Sequence, residues 1–197
     1  MQLKVIVKWL ALVGAAIVMV SSVLIIFLPD TTAVNSTQSV ASVAQMGLGS
    51  KLPVRLIIPA IKVDADIESL GLAPDGSMAV PKGPDDVAWF NQGPRPGENG
   101  TSVIAGHEGW KDNIPAVFDD LYKLKKGDTI SVEDETGTTT VFVVRESQTF
   151  SENENAASVF SSSDGRAHLN LITCEGTWDE VSQSYSNRLV VFTDKVE

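Results

Sequence analysis

The chain contains a single cysteine, Cys174, at the end of a run in which residues alternate between two faces. Leu169, Leu171 and Thr173 share one face, and such alternation is typical of a half-buried strand. We expect the strand to end at Gly176. The Cys174 thiol would then lie at the junction between a rigid strand and a loop. A lone cysteine is more often a small buried hydrophobic residue than a nucleophile. Cys174 therefore needs partners before a chemical role can be assigned to it.

Two other residues are suitable partners for this cysteine. His107 follows the strand-like run 101–106, and Arg188 opens a third run, 188–192. The thiolate is the reactive form of cysteine, and a nearby histidine can take its proton and later return it. An arginine can stabilise an oxyanion through charge-assisted hydrogen bonds. The sequence therefore predicts a thiol acyl-transfer site with His107, Cys174 and Arg188 as its catalytic residues.

The second histidine, His168, is a poor candidate for the base. It precedes Cys174 by six residues on the same run, and a strand advances by about 3.3 Å per residue. We assign His168 a structural or surface role. Thr173, next to the cysteine, is expected to help position it rather than to take part in the chemistry.

In order and spacing these motifs resemble those of the sortases, the cysteine transpeptidases of Gram-positive cell surfaces. The resemblance covers roughly residues 52 to 195, and the stretch 173–178 together with Tyr185 is most similar to the class E and F branch. The motifs are Ala-Gly-His at 105–107, a connecting stretch at 117–130, Leu-Ile-Thr-Cys at 171–174 and Asn-Arg-Leu-Val-Val at 187–191.

The resemblance implies a reaction cycle and its partners. Cys174 would attack the Thr–Gly bond of an L-P-x-T-G-like sorting signal, and an amine of a cell-wall precursor or a pilin lysine would resolve the thioacyl enzyme. His107 would move protons, and Arg188 would hold the oxyanion. No cofactor is expected, and two histidines with one cysteine offer no spaced set of metal ligands. Two alternatives remain open: a thiol peptidase that releases its product to water, and a non-catalytic tethered β-domain.

The pattern of elements predicts a mainly β domain. At least seven short strands with few helices indicate a barrel or sandwich, and the resemblance implies the eight-stranded sortase β-barrel. We expect a long loop at 81–100, in which Trp89 and Phe90 cover the core, and a short helix at 115–121 with proline in its first turn. The other predicted elements are strands at 54–59, 60–67, 101–105, 129–132 and 138–146, and a helical turn at 156–160.

Charge and hydropathy separate the chain into an anchor and a domain. The 20 residues from Trp9 to Leu28 are uncharged, long enough as a helix to cross the roughly 30 Å of a bilayer core. Lys4 and Lys8 precede this run, which predicts a cytoplasmic N-terminus and an extracellular domain. A cleaved signal peptide is the competing interpretation, but its apolar core is usually only about 7–15 residues long. We therefore predict a single-pass membrane protein, with a transmembrane anchor at 1–29, a flexible tether at 30–52 and a catalytic domain at 53–197.

The composition of the rest of the chain excludes one class of partner. From Asp30 onward it carries 13 lysines and arginines against 25 aspartates and glutamates. Nucleic-acid binding needs basic patches, so this acidic domain is not expected to bind DNA or RNA.

Overall fold

The computed structural model of this protein describes residues 52–151, 154–181 and 184–197. The predicted anchor, and all of the predicted tether except Leu52, lie outside the described residues. Among the residues described, no helix is both long and apolar enough to cross a bilayer.

The described residues form eight strands that close into a barrel, as predicted. Around the barrel the strand order is β1-β2-β3-β4-β7-β8-β6-β5, and β5 pairs with β1 to close it. The strands are β1 (Pro53–Ile58), β2 (Val63–Leu70), β3 (Val87–Phe90), β4 (Gly100–Gly106), β5 (Thr129–Asp134), β6 (Thr139–Ser151), β7 (Ala167–Asp179) and β8 (Ser184–Lys195).

Short helical segments occupy some of the connections. One α-helix, α1 (Ala157–Phe160), lies between β6 and β7, and the 3-10 turns are Pro59–Ile61, Lys111–Asn113 and Leu121–Lys123.

The barrel encloses one main hydrophobic core. The inward face of β7 contributes Leu169 and Leu171, both fully buried, and β3 contributes Trp89. Phe118, from the long connection between β4 and β5, is also buried in this core. The prediction that Trp89 covers the core is confirmed, although a strand rather than a loop carries it.

A smaller cluster covers the outer face of β7 and β8. Val159 of α1 is fully buried against Val190 of β8 and Phe150 of β6. The Asn170 side chain donates a hydrogen bond of 2.7 Å to the Val159 carbonyl and fixes α1 to β7. The first half of β7 is therefore buried on both faces, whereas the alternating sequence predicted burial on one face only.

Two local predictions are wrong. β7 does not end at Gly176 but continues to Asp179, because β8 extends beside it and a register shift between Glu175 and Trp178 absorbs the irregularity. Cys174 therefore lies within a strand rather than at the mouth of a loop. The region 115–121 forms turns ahead of a 3-10 segment instead of a helix that begins at Pro115.

Candidate active site

Three adjacent strands bring the predicted catalytic residues to one end of the barrel. β4 and β7 pair in parallel as far as Ala105 and Ile172, and His107 and Cys174 each follow two residues later. β7 and β8 are antiparallel, with Cys174 opposite Arg188. Opposed residues of an antiparallel pair project their side chains to the same face. The cysteine and the arginine therefore share a face, and the histidine follows the neighbouring strand.

A buried hydrogen bond joins the cysteine strand to the histidine strand. Thr173 Oγ1 donates to the Gly106 carbonyl over 2.8 Å, and these two residues directly precede Cys174 and His107. Gly106 is required here because an added Cβ would lie 2.5 Å from the Phe118 ring. Thr173 thus fixes the end of β4 against β7 next to Cys174, in agreement with the supporting role expected for it.

The orientation of His107 is set by a distant segment of the chain. Its Nε2 lies 2.9 Å from the Pro81 carbonyl, and since a carbonyl only accepts, Nε2 carries the proton. The imidazole also makes an edge contact with Trp110, with 4.7 Å between ring centroids. Nδ1 is the nitrogen left to accept a proton. Among the described residues, no hydrogen bond joins His107 to the sulfur of Cys174.

Arg188 is held by its own strand. Its Nη1 donates to the carbonyls of Tyr185 and Asn187 over 2.9 and 2.8 Å, and Nη2 donates to Ser184 Oγ over 3.2 Å. These contacts restrict the guanidinium to the edge of β8 beside Cys174. A fixed cation at this place can stabilise negative charge that forms during a reaction, without reorganisation.

A comparison with protein families identifies the domain that contains this site. The sortase-domain family model matches residues 56–196, which is most of the chain. The chain belongs to the sortase family. It is therefore a cysteine transpeptidase, and its eight-stranded barrel is the fold expected from the sequence.

Solved structures of other sortases have the same fold. Sortase C-1 from Actinomyces oris is 26% identical, with 86% of this chain and 84% of that chain covered and a TM-score of 0.56. A lid mutant of sortase A from Corynebacterium diphtheriae is 20% identical over 84% of this chain and 83% of that chain, with a TM-score of 0.57. A sortase D5 transpeptidase from Clostridium perfringens is 22% identical over 75% and 79%, with a TM-score of 0.55.

These structures are named as sortases C, A and D, so the similarity to classes E and F stays a prediction. A comparison with curated proteins found no match.

The environment of Cys174 disfavours the thiolate form of its side chain. Cys174 is partly buried, and burial raises the pKa of its thiol above the ordinary value; the positive charge of Arg188 opposes this and the negative charge of Glu108 adds to it. A neutral thiol reacts only after it loses a proton. The site therefore needs a base at the moment of attack.

Glu108 is a site residue that the sequence analysis missed. It directly follows His107, and its Oε2 is buried without a hydrogen-bond partner among the described residues. Burial raises the pKa of this carboxyl, and the charges of Glu175 and Asp119 raise it further. The sequence offered one signal for Glu108, which is that a charged residue directly follows the predicted catalytic histidine. Its position relative to Cys174 depends on strand pairing and could not be read from the sequence.

A cavity of about 120 Å³ opens beside the site, on the outer face of β7 and β8. Val159 of the short α1 segment forms part of its wall, together with Arg188 of β8. The lining residues are Phe150, Ser151, Glu154, Ala156, Val159, Ile172, Arg188 and Val190.

In the part of the chain that the structure describes, no three histidine, cysteine, aspartate or glutamate residues are grouped so that they could hold a metal ion.

Proposed function

We propose that this sortase is a membrane-anchored extracytoplasmic enzyme that cleaves an L-P-x-T-G-like sorting signal and transfers the acyl part to a cell-wall or pilin amine. The observation that carries the proposal is the placement of Cys174 opposite Arg188, with His107 at the end of the adjoining parallel strand.

The first half-reaction forms the thioacyl enzyme. His107 Nδ1 takes the thiol proton of Cys174, and the sulfur bonds to the carbonyl carbon of the Thr–Gly peptide bond. Arg188 stabilises the oxyanion that forms. When the C–N bond breaks, the proton on His107 passes to the leaving amine, so the enzyme is left neutral and acylated.

The second half-reaction transfers the acyl group. An acceptor amine in its neutral form bonds to the thioacyl carbon, the C–S bond breaks, and its electron pair returns to the sulfur. The proton that the amine loses reaches the sulfur through His107, which restores the starting thiol.

The cavity beside Arg188 supports binding of an apolar side chain of the signal. Its walls include Phe150, Val159 and Ile172, and Ile172 shares the outer face of β7 with Cys174. An apolar cavity of about 150 Å³ can hold a benzene-sized group, so a pocket of comparable size suits one aliphatic side chain next to the scissile bond.

The chemistry is tested with the full-length chain and a panel of L-P-x-T-G-related peptides, with and without an amine, by intact mass. We expect an acyl adduct that is absent from Cys174→Ala and is resolved faster by the amine. Resolution by water at the same rate with or without amine would instead support the thiol peptidase. The absence of an adduct with every peptide, together with a thiol inert to alkylation, would support a non-catalytic domain.

Membrane anchoring rests on the apolar run at 9–28 and the lysines before it. The test is fractionation of a Gram-positive host that expresses the full-length chain, followed by protease treatment of intact cells. We expect the chain in the membrane fraction, with its barrel accessible to protease. Recovery of the full-length chain from the cytosol, or protection of the barrel in intact cells, would contradict the proposed topology.

A further inference from the structure

Glu108 carries a buried carboxylate oxygen for which the described residues provide no hydrogen bond. It is the single such side-chain atom among the residues described. Leaving a buried acceptor without a hydrogen bond destabilises a fold, and the cost is larger for a charged group. An unpaired carboxylate of this kind is expected to have a partner that the chain itself does not supply.

Glu108 lies at the reacting end of the barrel. His107 precedes it, and Gly109, which follows it, lies beside the Tyr185 hydroxyl, since an added Cβ at Gly109 would be 3.7 Å from that oxygen. The negative charge of Glu108 acts on both Cys174 and Tyr185. A group bound to Glu108 would therefore lie near the sulfur that carries the acyl group.

The protein's own charges do not neutralise this carboxylate. The carboxylates of Glu175 and Asp119 act on it with the same sign of charge. Arg188 is the cation whose charge acts on Cys174, but Nη1 donates to two carbonyls of β8 and Nη2 donates to Ser184 Oγ, and no ion pair joins it to Glu108 among the described residues. The uncompensated negative charge of Glu108 therefore favours a positively charged partner.

We propose that Glu108 binds the ammonium group of the acceptor amine and holds it beside the thioacyl carbon, so that the enzyme selects cationic acceptors over neutral nucleophiles. This inference rests on the proposed transfer reaction. The bound ammonium loses one proton to water before attack, and the resulting neutral amine then reacts as described above, so Glu108 acts in acceptor binding and His107 in the proton transfer to the sulfur. An ammonium would supply the hydrogen bond and the charge that the buried oxygen lacks.

The test compares two nucleophiles that resolve the same acyl enzyme of the full-length chain. One is a short peptide with a lysine side chain, which is cationic at neutral pH, and the other is hydroxylamine, which is uncharged there. For Glu108→Gln we expect the KM of the lysine peptide to rise about tenfold, the lower end for a charged hydrogen bond at a partly exposed site. The KM of hydroxylamine should change by less than about twofold, within the scatter expected when no charged contact is lost.

Two variants control this comparison. Glu135→Gln removes the same charge from an exposed turn between β5 and β6, and we expect it to match the wild type with both nucleophiles. Glu108→Asp keeps the carboxylate and should recover part of the selectivity for the lysine peptide. Acyl-enzyme formation should be no slower in Glu108→Gln, because loss of a negative charge favours the thiolate of Cys174.

The outcomes separate the two proposals. An equal loss with both nucleophiles would show that Glu108 supports the fold or moves protons, and no loss with either would show that it does not bind the acceptor. Both results would overturn the inference while leaving the transfer reaction intact. Failure of the wild type to form any acyl enzyme would overturn the proposed function, and this inference with it.

Discussion

The two histidines of this sortase differ in how their ring nitrogens are bonded. His168 is 7% exposed, and its Nδ1 and Nε2 lie 2.8 and 3.0 Å from carboxylate oxygens of Asp194 and Asp164. His107 is partly buried and uses only Nε2, toward the carbonyl of Pro81. A histidine with both nitrogens occupied is fixed as a structural link, whereas one with a free nitrogen can move a proton.

The carboxylates beside the two histidines also differ in whether their oxygens have hydrogen-bond partners. Asp194, beside His168, also accepts a hydrogen bond of 2.7 Å from Arg145, so that charge is compensated on two sides. Glu108, beside His107, has a buried oxygen without a partner among the described residues. Ionic groups at the start of β7 therefore compensate one another, whereas the buried oxygen of Glu108 near Cys174 is not compensated by any described residue.

The largest expected effect is on the rate of transfer. His107→Ala should lower kcat/KM by about 10³-fold, the range typical of a lost general acid and base, with little change in thermal stability. The measurement is transfer to an amine acceptor, alongside thermal unfolding of the same sample. If His107→Ala keeps more than a tenth of the wild-type rate, the contrast between a proton-transferring His107 and a structural His168 is refuted.

The next effect is on stability. His168→Ala should lower the free energy of unfolding by about 2 kcal/mol, because it removes hydrogen bonds from a buried ring to charged partners. Urea denaturation measures the loss, and transfer is assayed where the variant is folded. We expect that rate to stay within about threefold of the wild type, as is usual for a residue that touches no substrate; a hundredfold fall would place His168 in the chemistry.

A smaller effect concerns the ionisation of Cys174. Because the charge of Glu108 raises the pKa of the thiol and that of Arg188 lowers it, Glu108→Gln should move the pH midpoint of alkylation down and Arg188→Gln should move it up. Iodoacetamide labelling against pH measures this without ambiguity, since the chain has one cysteine. Glu135→Gln serves as the charge control. Shifts of the same sign in both variants would refute the arrangement of charges described for the site.

The smallest expected effect is on how steeply the free energy of unfolding falls at acidic pH. The backbone N–H of Arg166, and then the His168 side chain, lower the pKa of Asp164 below its ordinary value near 4. A carboxyl whose pKa is lower when folded stabilises the protein above its unfolded pKa, and this contribution is lost as pH falls through the folded value. Asp164→Asn should therefore show a shallower loss of stability between about pH 5 and pH 2 in urea unfolding. If stability falls equally steeply at acidic pH in Asp164→Asn and in the wild type, Asp164 does not contribute to that loss.

The alternating run before Cys174 predicted a strand with Leu169 and Leu171 inward, and both are fully buried. Prediction from the sequence failed where a strand is stabilised by pairing with strands from distant parts of the chain. β8 extends β7 beyond Gly176, although Gly176 has a φ of +93° and leaves no room for a side chain against Ser186. β3 forms within a segment rich in proline and glycine because β2 and β4 pair with it on both sides.

The sequence by itself determined the types and order of the reactive residues, since these are properties of the chain and of its local periodicity. Only the tertiary structure decided their surroundings. The orientation of His107 depends on Pro81, the register of Cys174 depends on its pairing with Arg188, and the oxygen of Glu108 is buried only in the folded domain. Desolvation and charge act through space, so the pKa of Cys174 and the availability of Glu108 follow from packing that local sequence does not specify.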